Sequence, residues 1–428
     1  MSPWQGILEL SGLQSDFYIF EVKQFRKTKK VYFYLKRKQR KGFCSGCGAE
    51  SCEIHSIDRV QLRDLSVFEY KTYVVVERFT LRCEGCRGYL VEDFWLWRKR
   101  KDFTWRYEQK ISQMCEEMTN ASVGRLEELN DKTVYNIDYE LLLIRLQNQK
   151  LPKDLGPYYS LDEVHFKSYP NHHTEKDKEF ITNLLDLTYK KVISNHPGRG
   201  QKSAENCFRW LSKSQRRQAS GVAMDQHDPY LKATRLMCPN ADIVLDRFHI
   251  AKLFNETMDD FRKYQLELAQ DNDEIQLLKG KYKWLLLTRE SKLSKQNQEL
   301  LSELKQINER VIEALLIRDH FFDFFESPTL THAKRQWYKL MKLVKEVDIK
   351  QFTEFFRKLK KYMHHIWSYF QSHISSGVIE AINHKIKVTR AAAYGYRNRT
   401  YYQLKILQRV GFLNSKFAQL PKIQGLSS

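Results

Sequence analysis

Two C-x2-C pairs, Cys44-Ser-Gly-Cys47 and Cys83-Glu-Gly-Cys86, constrain this chain more than any other feature. Each pair can place two thiolates on a tight knuckle, and two knuckles complete a tetrahedral site of the kind that holds structural zinc. Gly46, Gly48 and Gly85 give these turns the backbone freedom they need. The pairs stand 35 residues apart, among segments that alternate like strands: residues 18–41, and VFEYKTYVVVERFTLR at 67–82. A β-rich domain over 1–100, closed around Zn²⁺ by Cys44, Cys47, Cys83 and Cys86, is the expectation. Four thiolates leave no open coordination position, so this zinc is expected to be structural and not catalytic. Cys52 and His55 lie close enough in sequence to replace one ligand. Cys115, Cys207 and Cys238 have no partner pattern and are expected to be buried apolar residues. The competing reading is a set of free cysteines, for which the paired spacing would be coincidence.

Eight cysteines in 428 residues are too few for a disulfide scaffold, which points to metal in a reducing compartment. No run of 18 apolar residues suggests a membrane span, and MSPWQGILELSG lacks the pattern of a signal peptide. A cytoplasmic protein with no membrane partner follows. Its formal net charge of +20 suits an acidic polymer as partner. The distribution says more than the total: residues 351–428 carry 13 basic and 2 acidic residues. Within residues 1–150 the basic residues cluster, notably Arg26 to Lys30, Lys36 to Lys41 and Arg98 to Lys101. Any one run can be a solvated loop tip. Three runs flanking a metal module favour phosphate neutralisation. The candidate DNA contacts are Arg37, Lys38, Arg40 and Lys41, then Arg98, Lys99, Arg100 and Lys101, then Lys385, Lys387, Arg390 and Arg397.

After Thr104 the apolar period becomes helical, with Ile111, Met114, Cys115 and Met118 on one face. Breaks near Asn120 and Asp131 divide residues 101–150 into three short helices, compatible with a helix-turn-helix-like DNA-binding element. Leu151-Pro152 and Gly156-Pro157 mark a linker. Beyond it, 158–166, 179–188 and 190–194 read as strands, and a helix-like segment follows at 203–213. Two short apolar runs, SGVAMD (220–225) and ADIVLD (241–246), each end in Asp and flank a helix over 229–238. Three meandering strands followed by a parallel pair is the strand sequence of an RNase H-like α/β fold, here over 151–250. From 251 to about 372 the chain reads as an all-α insertion; up to Tyr369 it holds one glycine, Gly280, and one proline, Pro328. Tyr282, Trp284 and Trp337 in this block read as core, with base stacking as the functional alternative. Residues 373–428 read as a final helix of the catalytic core and a basic tail. The fold class is thus multidomain α+β.

Asp162 lies in the first strand of this sheet, Asp225 ends the fourth, and Glu380 lies on an amphipathic helix with Asn383 and Lys387 on its own face. Carboxylates converging from separate elements are what two divalent ions require. Glu163, Asp228 and Asp246 are rivals, and alternation within 158–166 does not separate Asp162 from Glu163.

At this point the chain resembles a family. CSGCG (44–48), IHSIDRVQLRDL (54–65), RFTLRCEGC (78–86) and VEDF (91–94) resemble the N-terminal zinc-binding region of DDE transposases of bacterial insertion sequences, of the ISL-three type. LDEVHFK (161–167) resembles their first catalytic strand, and AMDQHDPYLKATRLMCPNADIVLDRFHI (223–250) their second catalytic segment with a D-x2-H motif. LKGKYKWLLL (278–287) resembles the helical insertion, and SSGVIEAINHKIKVTRAAAYGYRN (375–398) the segment carrying the final Glu. The resemblance implies a triad of Asp162, Asp225 and Glu380 that holds two Mg²⁺ (or Mn²⁺) ions. It selects Asp225 over Asp246, and gives Asp246 and His249 a supporting place. HFKSYPNHH (165–173) departs from the short basic-glycine turn common in relatives.

The implied function is a DNA transposase. It would bind the terminal inverted repeats of its element, cleave them and join 3′-OH ends to target DNA, as a homodimer or higher oligomer on double-stranded DNA near the nucleoid. The alternative is a catalytically inactive zinc-ribbon/helix-turn-helix regulator derived from a transposase. A third reading is an RNase H-like nuclease that cuts without rejoining.

Overall fold

The computed structural model describes residues 5–51, 53–98, 102–166, 180–372 and 377–417. They form two units: residues 1–150 with 392–394 and the chain from Thr400, and residues 151–391 with 395–399.

The first unit is built on a sheet that the alternation of large apolar residues makes two-faced. Helix α1 (Gln5–Leu10) leads into β1 (Phe17–Phe25) and β2 (Lys30–Arg37), an antiparallel hairpin. Val31, Phe33 and Leu35 of β2 point inward, while Tyr32 and Tyr34 are half-buried on the other face. The short strands β3 (Gly42–Cys44) and β4 (Glu50–Ser51) carry the first knuckle. Next come the paired 14-residue strands β5 (Ile54–Val67) and β6 (Tyr70–Cys83), then β7 (Gly88–Asp93). The order is β1-β2-β6-β7-β3-β4, with β5 also paired to β6. Core residues include Phe17, Leu62, Val74 and Trp97.

Three helices follow: α2 (Trp105–Met114), α3 (Asn120–Glu127) and α4 (Asp131–Asn148), capped by Thr104, Thr119 and Asn130. Gly124 allows the tight passage from α3 to α4, because a Cβ there would lie 2.8 Å from both the Leu129 carbonyl and an Asp131 carboxylate oxygen. The β-rich segment and these helices belong to one unit.

The second unit opens with a five-stranded sheet: β8 (Tyr158–His165), β9 (Phe180–Asp186), β10 (Lys191–Pro197), β11 (Gly221–Met224) and β12 (Asp242–Leu245). Its order is β10-β9-β8-β11-β12. The first three strands pair antiparallel, and β11 pairs parallel with both β8 and β12. Helices α5 (Gln201–Phe208), α6 (Lys213–Gln218) and α7 (Asp228–Met237) fill the crossovers.

A helical stretch follows, comprising α8 (Arg247–Leu268), α9 (Asn272–Leu278), α10 (Lys283–Leu287), α11 (Lys295–Ile307), α12 (Glu309–Phe325), α13 (Leu330–Val347), α14 (Lys350–Lys360) and α15 (Met363–Ser372). Its core is aromatic: Phe254 stacks on Phe321 at 4.0 Å between centroids and meets Phe352 at 5.8 Å. Trp337 joins this core through Phe324 and Phe356, but Trp284 is 59% exposed, against the core expectation for it.

Helix α16 (Gly377–Ala392) then returns to the sheet, with Ile379 packed among Ala223 of β11 and Val244 of β12. The last helix, α17 (Arg399–Val410), belongs with the first unit from Thr400 onward. It is not a loose basic tail. Lys405 Nζ, buried, lies 3.0 Å from Asp138 of α4 and donates to the Cys115 carbonyl at 2.6 Å. Tyr401 donates to the same aspartate at 2.7 Å. No helix among the described residues is long and apolar enough to cross a membrane.

Candidate active site

Strand register aligns three aspartates. Met224 of β11 stands opposite Leu161 of β8 and Leu245 of β12. One residue further along each strand come Asp162, within β8, and Asp225 and Asp246, just past the carboxyl ends of β11 and β12. Glu163 falls on the opposite face of β8 by alternation; burial first, and then the Glu163 carboxylate, raise the pKa of Tyr230 on α7.

Asp162 is buried. Its Oδ1 accepts the backbone N–H of Glu163 at 2.7 Å, and its Oδ2 accepts the side-chain amide of Asn383 on α16. Burial first, and then the negative charge of Asp225, push the Asp162 carboxyl up to about 7, against which the Asn383 hydrogen bond works. Asp246 caps α8 by accepting the Phe248 N–H at 2.9 Å. That places His249 one turn along, its Nδ1 2.6 Å from Asp225 Oδ1 and 3.1 Å from Asp246 Oδ2. Burial alone would lower the His249 pKa, but hydrogen bonds and charge from both aspartates push it up to about 10. The ligand atoms of Asp225, Asp246 and His249 lie within 4.8 Å of one another.

Helix α16 forms the other wall of the cleft. Ile379, Ile382 and Ile386 are buried along one face, while Glu380, Lys385 and Lys387 are exposed. Glu380 and Lys387 line the same cleft as Asp162 and His249. Asn383 Oδ1 is buried with no protein hydrogen bond. Two buried carboxylates, Asp162 and Asp246, with the half-buried Asp225 between them and an unpartnered neutral oxygen on Asn383, are a donor set that fits hard divalent cations.

The cysteines form a second cluster, within the first unit. Cys44 Sγ lies 3.7 Å from Cys86 Sγ, and Cys47 Sγ 3.5 Å from Cys83 Sγ. Four thiolates about 2.3 Å from one zinc would stand roughly 3.8 Å apart, so the geometry fits that ion. Gly46 permits this approach, because a Cβ there would stand 3.0 Å from Cys86 Sγ. Backbone N–H groups of Cys47 and Gly46 hold the Cys44 thiol down to about 6, whereas crowding by Cys47 and Cys44 pushes Cys86 up to about 12. His55 packs on the Tyr89 ring, 4.2 Å between centroids, and Cys52 lies outside the described residues.

A family model described as "Transposase", of the DDE ISL3 type, matches residues 162–406, more than half of the chain. The "Transposase for insertion sequence element IS1001" of Bordetella parapertussis is 30% identical over 378 residues, covering 87% of this chain and 90% of that protein. The chain belongs to the ISL3 family of transposases. A solved structure, "Mos1 transposase paired-end complex with left transposon end", is 16% identical and matches over 54% of this chain and 83% of that one. Its TM-score of 0.15 is too low to bear on the fold.

The transposase's basic residues divide into two kinds. Arg37, expected to contact DNA, is buried: its guanidinium forms a two-pronged pair with Glu92, at 2.6 and 2.8 Å, and lies over the rings of Phe79 and Phe94. Alternation places it on the inward face of β2, a signal available in the sequence. Arg98 is likewise engaged, with Glu108 at 2.5 Å and Glu140 at 2.7 Å. Arg390 donates to the His165 carbonyl at 2.8 Å. Lys38, Arg40, Lys41, Lys385, Lys387 and Arg397 are exposed, although Lys41 meets Glu50 at 3.0 Å and Lys38 donates to the Gln14 carbonyl. Lys99, Arg100 and Lys101 lie outside the described residues. Asn383 is the site residue that sequence reasoning passed over as a mere neighbour of Glu380. Its signal was there, an amide one helical turn after the acid.

Proposed function

We propose that the second unit is an RNase H-like catalytic domain that cleaves DNA and transfers strands at its aspartate row, with Asp162, Asp225 and Glu380 as the acidic triad. The observation that carries this reading is the register of β8, β11 and β12. Extended by one residue, that register brings Asp225 beside Asp162, and Asp162 lines a cleft that Glu380 also lines, which supports the reading. Two Mg²⁺ or Mn²⁺ ions, when bound, would supply activation of the attacking water or 3′-hydroxyl and stabilise the leaving oxygen. Asp162 and Asp225 would hold those ions, whose charge favours the ionised form of both. Asp246 and His249 brace Asp225 from the side: His249 fixes its Oδ1, and Asp246 orients His249. Lys385 and Lys387, exposed on the rim, receive the phosphates flanking the scissile bond.

The first unit, in this reading, holds the terminal inverted repeats of the element. Helices α2 to α4 serve as the helix-turn-helix-like element, and Zn²⁺ on Cys44, Cys47, Cys83 and Cys86 keeps the knuckle end of the sheet folded. Double-stranded DNA is the partner, engaged by two or more copies of the chain. The inactive-regulator alternative loses ground because all three acids are present.

Cleavage of labelled element ends in Mg²⁺ tests the assignment. Wild type should nick the ends, and Asp225→Asn should bind them without cutting. A dead Asp246→Asn beside an active Asp225→Asn would transfer the second catalytic place to Asp246.

A further inference from the structure

We propose that Asn383 and Arg390 are positioning residues that lock α16 onto β8 in one register and thereby deliver Glu380 to the aspartate row. The inference rests on the reading of Asp162 and Glu380 as members of one site.

A helix lying on a sheet has no backbone pairing to fix where it sits. The apolar stripe of α16 does not supply that information either. Ile379, Ile382 and Ile386 are alike, and a shift by one turn would set one isoleucine where another had been. Polar contacts do discriminate, because a hydrogen bond is lost when its partners move by an ångström or two. Two such contacts join α16 to β8. The Asn383 amide donates to Asp162 Oδ2, and Arg390 Nη1 donates to the His165 carbonyl at 2.8 Å.

Their spacing matches. Seven helical residues, from 383 to 390, advance about 10.5 Å at ~1.5 Å each. Three strand residues, from 162 to 165, advance about 10 Å at ~3.3 Å each. Both bonds therefore form together, with α16 running the same way as β8. A slip of one residue along the helix adds about 100° of rotation to its ~1.5 Å rise, and breaks both.

The orientation of the Asn383 amide is also determined. The NH₂ group faces Asp162, so Oδ1 turns away. That oxygen is the buried one without a protein partner. Glu380, three residues before Asn383, lies on the same helix face one turn nearer the N-terminus. Anchoring Asn383 at Asp162 thus leaves Glu380 little freedom in where it points. This matters because Glu380 reaches the sheet only after the whole helical stretch, 155 residues beyond Asp225. The arrangement also gives Arg390 a use other than holding DNA.

The test maps proximity directly. Full-length protein is loaded with Fe²⁺ in place of Mg²⁺ and treated with ascorbate and peroxide, so that radicals cut the backbone near the bound ion. Wild type should be cut both around residue 162 and around residue 380. Asn383→Ala and Arg390→Ala should keep the cuts near 162 and lose most of those near 380. They should also raise the Mg²⁺ concentration for half-maximal cleavage by at least about tenfold, with end binding unchanged. Arg390→Lys should fall between, and Val388→Ala, an exposed position on α16, should behave as wild type. If the alanine variants do not fold, the near-isosteric Asn383→Asp decides, since it exchanges an attraction to Asp162 for a repulsion. Undiminished cuts near 380 in a folded clamp variant overturn the clamp alone. Absence of cuts near both segments in wild type overturns the metal-site reading, and the clamp with it.

Discussion

The cysteine knuckles and the aspartate row solve the same problem, gathering like-charged ligands against their repulsion, in opposite ways. Each knuckle draws two ligands from four consecutive residues, and antiparallel pairing of β3 with β7 lays one turn beside the other. All ligands are thiols and the set is complete within itself. The aspartate row takes one residue from β8 and one from just past each of β11 and β12, and Glu380 and Asn383, from a helix much further along the chain, line the cleft beside Asp162. It is open on the cleft side. A closed set can hold only an ion, whereas an open one leaves room for a substrate. The difference predicts that damage to one centre costs structure and damage to the other costs chemistry.

The sharpest break would come at the row. Asp162→Asn, Asp225→Asn and Glu380→Gln should each lower cleavage by on the order of 10⁴-fold or more, with end binding retained. A gel assay that separates bound from cut DNA reads both outcomes. Loss of binding with loss of cutting would erase the contrast. Cys83→Ser should do the reverse, abolishing zinc by elemental analysis and exposing the first unit to limited proteolysis, while fragments of the second unit persist.

Next in size is a coupling between pH and divalent ions. The Asp162 carboxyl, raised from its ordinary 3.8 to about 7, keeps its proton in the folded chain where the unfolded chain has lost it. Its contribution to stability is therefore full below about pH 4 and is lost as pH rises through about 7. A divalent cation favours the ionised form. Mg²⁺ should thus raise the melting temperature more at pH 8 than at pH 6, and Asp162→Asn should remove that difference. An equal Mg²⁺ effect at both values would dissociate the ion from this carboxylate.

Smaller effects separate basic residues that hold the fold from those that hold DNA. Arg37→Ala leaves Glu92 buried without its partner and should cost about 3–5 kcal/mol in chemical denaturation. Arg40→Ala should leave stability unchanged and reduce the salt dependence of end binding by about one phosphate contact. Smallest of all, Trp284→Ala should shift stability by no more than about 0.5 kcal/mol, because that ring is largely exposed.

Much of this was legible in the sequence where the signal is local. The C-x2-C spacing named four cysteines that meet, and alternation located β8, β9 and β10 to within two or three residues. The row of acids was legible only in part, because strand register is a pairwise property that one strand cannot display. Asp225 and Asp246 each end an apolar run, and only the pairing of β11 with β12 shows that they stand side by side. Strand β5 was hidden by Asp58, Arg59, Arg63 and Asp64, which interrupt its apolar residues, yet it pairs along nearly its whole length with β6. Charge counting misjudged Arg37 because a guanidinium on an inward strand position carries the same letter as one on a loop. The residues of α17 looked like more of the basic C-terminal surplus. Their burial depends on Asp138, some 267 residues earlier.

That last distance bears on how the protein is made. The ribosome releases β1 to β7 and α2 to α4 long before α17, so the emerging helices carry Asp138 without Lys405, Tyr401 or Gln408 beside it. A buried carboxylate lacking its cation is a strong penalty. The helical half of the first unit therefore reaches its final packing only after the second unit has been synthesised. Chains truncated before Lys405 should therefore show more rapid limited proteolysis of α2 to α4 than the full chain. The packing of the first unit's helices thus waits on one lysine, Lys405, made long after them.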